Sequence, residues 1–73
     1  MTARQKLISK IKNMKSGLIL SCLEDMAKPW DRRTEEERAA RAYMLDELER
    51  RMNNEDRFDC FLDKLEELEE SKR

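Results

Sequence analysis

The chain has 73 residues, 45% charged and 38% apolar, with one glycine, one proline, no histidine and no valine, which bounds it to a single small domain. Without histidine there is no imidazole base, no Cys/His zinc site and no nucleophile triad of the usual kind, so the expectation is a non-enzyme with no cofactor. Sixteen basic against seventeen acidic side chains leave a net charge of −1, without the excess of a generic nucleic-acid binder.

Three isoleucines and two threonines are the only β-branched residues, while Leu, Met, Ala, Glu, Lys and Arg fill most positions, so the fold class is all-α. Leu7, Ile8, Ile11, Met14, Leu18, Cys22 and Met26 recur at three- and four-residue steps and lie along one side of a helix. The phase continues through Gly17. One long helix over about 3–27 is therefore expected, in preference to a break at Ser16-Gly17, and Ile19, Leu20 and Leu23 widen its stripe. Pro29 ends it. Pro29-Trp30-Asp31-Arg32-Arg33 is a linker, with Trp30 expected as a plug over the bundle end or, failing that, as a partner-facing anchor beside Arg32 and Arg33.

The second helix, about 34–52, opens with a capping box of Thr34 and Glu37, with Glu35 and Glu36 at the positive end of the dipole. Its stripe is Ala40, Met44, Leu45, Leu48 and Met52. Arg41 falls within that stripe and is expected to pair with Glu37 one turn back, its stem packed down. Tyr43, beside Ala39 and Ala42, is either a second packing face for the first helix or an exposed anchor. Asn53-Asn54 separates this helix from a third, about 55–70, which Asn54 caps and whose stripe is Phe58, Phe61, Leu62, Leu65 and Leu68. The two stripes differ by about 110° when projected as one rod, so a reversal into an antiparallel hairpin is expected. The whole is one domain, 1–73: a small three-helix bundle, or a four-helix one if the first helix breaks.

Charge is distributed unevenly. Met1 to Ser16 holds five bases and no acid, whereas Glu55 to Glu70 has a local charge of −6. Opposite the third stripe lie Asp56, Asp59, Asp63, Glu67 and Glu70, an acidic ridge. It reads as a solvated face, as a strip lying against the lysine-rich first helix, or as a docking strip for a basic protein surface. The candidate partner-binding residues are thus Asp59, Asp63, Glu67, Glu70, Trp30, Tyr43, Arg32 and Arg33. Lysines 6, 10 and 12 flank the first stripe, suited to snorkelling and, in a competing reading, to RNA or DNA phosphates.

Cys22 and Cys60 lack metal-ligand spacing and are expected as reduced, mostly buried thiols with no functional role. Leu18 to Leu20 is too short an apolar run for a secretory signal or a membrane span, and the basic N-terminus is too much of the core to be a cleaved transit segment, so a cytoplasmic protein is expected. A core of this size, with a first helix outreaching the others, favours a homodimer or a larger partner.

The segment TEEERAARAYMLDELERR, Thr34 to Arg51, with the preceding Met26-Ala27-Lys28-Pro29-Trp30, resembles a block found in small uncharacterised helical proteins of bacteriophages, prophages and plasmids. The resemblance implies a mobile-element context, in which small proteins often bind and block a host defence or replication protein. In general plan the chain also resembles plasmid helical-hairpin dimers that bind paired RNA loops. The expected function is a protein-binding inhibitor or adaptor; the alternatives are a helical dimer on RNA or DNA and a structural subunit of a larger complex.

Overall fold

The computed structural model describes residues 2–52 and 55–72, without the side chain of Glu55. Among these residues there are four α-helices, α1 (Ala3–Lys12), α2 (Ser16–Asp25), α3 (Glu35–Arg51) and α4 (Glu55–Ser71), with a short 3-10 turn at Trp30–Arg32 and no strand. The all-α bundle expected from composition is present, in its four-helix form. Its extents are 36 × 30 × 16 Å.

Two helices begin where the sequence signals them. Thr34 Oγ1 accepts from the Glu37 N–H while the Glu37 carboxylate accepts from the Thr34 N–H, each at 3.2 Å. Thr2 and Gln5 make the same reciprocal box at α1. Each box satisfies two donors that a helix start otherwise leaves open. Glu37 also pairs with Lys28, so this carboxylate ties α3 to the linker. That contact, followed by the Thr34 backbone bond, holds the Glu37 carboxyl below its ordinary pKa.

The single helix expected over 3–27 is not formed. α1 ends at the Asn13 cap, whose N–H points back at the carbonyls of Ser9, Lys10 and Ile11, and the chain is extended at Lys15 (φ −71°, ψ 147°) before α2 starts. The corner is held by a residue 35 to 39 positions away. Arg51, at the end of α3, donates from Nη2 to Lys12 O (3.0 Å) and from Nη1 to Met14 O (2.7 Å) and Ser16 Oγ (3.2 Å), while Glu47 Oε1 accepts from its Nε at 3.1 Å. A guanidinium at the C-terminal end of a helix satisfies open carbonyls and meets the negative end of the dipole. No hydrophobic pattern foretells such a clamp.

Folding back lets both halves bury an apolar face. α1 lies on α3, and α2 touches both α3 and α4. Ile11, Ile19, Leu23, Ala27, Met44, Leu48 and Leu65 form one buried cluster drawing on all four helices, with Leu7, Met14, Leu45, Phe58, Phe61 and Leu68 packed around it. The break also turns α2 relative to the expected stripe: Ile19 and Leu23 enter the core, while Leu18 is left 53% exposed.

α3 ends at Arg51, and Met52 leaves helical dihedrals (φ −90°, ψ 105°). Glu69, near the end of α4, meets Arg33 and Arg41 near the start of α3, so the two helices run antiparallel as the phase difference requires. The expected reversal at Asn53-Asn54 and the Asn54 cap lie outside the described residues.

Candidate functional site

α4 has one apolar face and one acidic face. Leu65 is buried and Phe58, Phe61, Leu62 and Leu68 are half-buried, whereas Asp56, Asp59, Asp63, Glu66, Glu67 and Glu70 are all exposed. Among the described residues, Asp59, Asp63 and Glu67 have no ion-pair partner. α1, with its lysines, lies on α3 rather than along this ridge. The reading in which the ridge rests on the basic first helix is therefore excluded.

One acid of α4 behaves differently. Glu69 is 8% exposed, and its carboxylate accepts from Arg41 Nε at 2.9 Å and Nη2 at 3.1 Å, and from Arg33 Nη2. The intrahelical Glu37–Arg41 pair expected from sequence is replaced by this tertiary one, because Glu37 is engaged by Thr34 and Lys28. Arg33 is corrected as well. It is 6% exposed, with Nε donating to Lys28 O at 3.1 Å, so it is a buried strut rather than a residue presented to a partner. Arg32 is exposed.

Trp30 does not plug the bundle; it is 54% exposed. The Arg38 guanidinium stands 4.8 Å from the ring centroid and donates from Nη2 to Trp30 O at 3.0 Å, and the Arg41 guanidinium stands 5.9 Å away. These are cation–π distances. They hold the indole at the surface, where it, Arg41, Glu66, Glu69 and Glu70 line a hollow of about 360 Å³. Of the predicted acidic ridge only Glu70, at the C-terminal end of α4, lines the hollow beside Trp30; Asp59, Asp63 and Glu67 do not.

Tyr43 stands apart from them. Two positions beyond Arg41, about 200° round α3, it is half-buried against the core and lines a second hollow with Ile8, Ile11, Lys12, Asp46, Glu47 and Arg50. It serves as the packing face for α1, one of the two roles its small neighbours suggested. Sequence reasoning missed Glu69, Arg41 and Glu66 as neighbours of Trp30. A signal was present: Glu69 continues the Leu62/Leu65 line, and Arg41 interrupts the Met44/Leu48 line, so each apolar stripe carries one charge, of opposite sign.

No group of acidic or cysteine side chains suited to a metal ion occurs among the described residues, and no described helix is long and apolar enough to cross a membrane. Both cysteines are free thiols, but the burial expected of them does not hold for Cys60, which is exposed, while Cys22 is half-buried. No family model, curated protein or solved structure matches the chain.

Proposed function

We propose that the protein is a binding module, an inhibitor or adaptor, that captures a basic segment of another protein along α4. The observation that carries this reading is the exposed acidic face of α4, Asp56, Asp59, Asp63, Glu66, Glu67 and Glu70, whose C-terminal end borders the hollow that Trp30 lines. Acids at four-residue spacing on one helix cost a few tenths of a kcal/mol per pair, for which a merely structural face has no use. A half-exposed tryptophan that already carries Arg38 and Arg41 at cation–π distance, beside the exposed carboxylate of Glu66, suits a further lysine or arginine stem on its open edge. The likeness of Thr34 to Arg51 to small phage, prophage and plasmid proteins favours a host defence or replication protein as the target, in the cytoplasm.

Trp30 is the sole tryptophan, so its fluorescence reports binding directly. Titration with an arginine- and lysine-rich peptide should shift the emission of the wild type. The D63K/E67K double variant, with new opposite-charge neighbours at Asp59 and Glu70, should fold normally yet bind about tenfold or more weakly. Equal affinity in the two proteins would reduce the ridge to a solubility face. A second reading, RNA or DNA binding by α1, is favoured by the exposure of Arg4, Lys6, Lys10, Lys12 and Lys15. It requires a salt-dependent mobility shift that K6E/K10E abolishes and D63K/E67K does not.

A further inference from the structure

The corner between α1 and α2 is a helix break that its own residues do not demand. Asn13, Met14 and Lys15 include neither proline nor glycine, and no residue among those described has a positive φ. Asn13 is already in the right-handed helical region (φ −89°, ψ −5°). Unlike α1 and α3, which start at capping boxes, α2 starts at Lys15 with no side-chain cap. The apolar stripe meanwhile runs on in helical phase from Leu7 through Met14, Leu18 and Cys22. In the folded-back arrangement one of its members, Leu18, lies out in solvent at 53% exposure.

We propose that this corner is a hinge through which two copies of the chain exchange α1. Arg51 holds the closed monomer by its bonds to Lys12 O, Met14 O and Ser16 Oγ. On opening, Lys15 turns helical, α1 and α2 join into one helix of about 34 Å, and the α1 half packs on α3 of the second copy. Every contact that α1 makes with α3 in the monomer is then remade between copies, which is why exchange of an identical element is a low-cost route to a dimer. The joined helices supply what the monomer lacks: Met14 and Leu18 fall on one face at the junction, where the long helices of the two copies run side by side. The occupant of the exposed Leu18 face is therefore a second copy, specified by the stripe that the break interrupts.

Ser16→Pro separates this exchange from ordinary side-by-side association. Proline suits the first position of a helix, and Lys15, extended at ψ 147°, already has the conformation required before proline, whereas a continuous helix would be broken there. Size-exclusion chromatography with light scattering, with circular dichroism to confirm folding, reads the outcome. Wild type should show a dimer fraction that grows with concentration, and Arg51→Ala should raise it several-fold. Should Arg51→Ala not fold, Arg51→Lys, which keeps the charge and loses the forked contact, replaces it. Ser16→Pro, alone or combined with either Arg51 variant, should be a folded monomer, and Leu18→Glu should lose the dimer while leaving the monomer intact. A dimer that persists in Ser16→Pro, or folded Arg51 variants that stay monomeric at every concentration, would overturn the proposal.

Discussion

Individual charges in this chain take their meaning from burial, and α4 supplies the contrast. Glu69 and Glu67 are two residues apart on one helix, yet one is buried against two guanidiniums and the other is in solvent. Glu69→Ala leaves the Arg33 side chain, 1% exposed, without its counter-charge, and breaking a buried pair in this way costs about 3–5 kcal/mol. Glu67→Ala removes a like-charge neighbour of Asp63 and should leave stability level or slightly raised. Urea denaturation midpoints of the two variants should therefore move by very different amounts. Glu37 adds a pH dependence. Its carboxyl is held low in the folded state by Lys28 and then by Thr34, so its contribution is complete above the unfolded carboxyl pKa and disappears as pH falls through the lowered folded value. Glu37→Gln keeps the cap but loses the charge; its thermal midpoint should lie below the wild type at neutral pH and converge with it in acid.

Elements whose limits are set by neighbouring residues were legible in the sequence, and those set at a distance were not. Thr34/Glu37 announces the start of α3 and Pro29 the linker before it, because capping and proline geometry act within a few residues. The α1–α2 break is clamped by Arg51, which no local pattern connects to Lys12 and Met14. Trp30 was placed in the linker but wrongly buried, because two arginines from α3 keep it at the surface. Its meeting with the end of the acidic ridge depends on the antiparallel register of α3 and α4. That register was half-legible, since each apolar stripe carries one charge, Arg41 and Glu69, of opposite sign, although Glu37 one turn back offered Arg41 a nearer partner. Gly17 remains as a local weakness of α2: it lies inside the helix, and a Cβ there would meet nothing within 4 Å. Gly17→Ala should stabilise by about 0.5–1 kcal/mol, and a melting curve of the closed monomer should rise by several degrees.

At the scale of the whole molecule, one core joins four helices, and α1 and α2, at 10 residues each, are too short to be stable by themselves in water. Ile11 from α1, Ile19 and Leu23 from α2, Leu48 from α3 and Leu65 from α4 are each at most 2% exposed, so losing any of them loosens the helices it joins. Folding should accordingly be cooperative, with no helix melting ahead of the rest. Leu48 is fully buried, and truncating such a leucine costs about 2–5 kcal/mol through lost transfer energy and the cavity left behind. Cores of this size contribute only about 3–5 kcal/mol in total, so Leu48→Ala should be largely unfolded by circular dichroism at room temperature. Leu18 occupies an equivalent place in the sequence pattern but lies in solvent, where substitutions stay within about 0.5 kcal/mol. At concentrations low enough to keep the protein monomeric, Leu18→Ala should melt with the wild type. A large loss of stability in dilute Leu18→Ala would mean that the stripe packs as one continuous helix within a single chain, with the α1–α2 corner straightened.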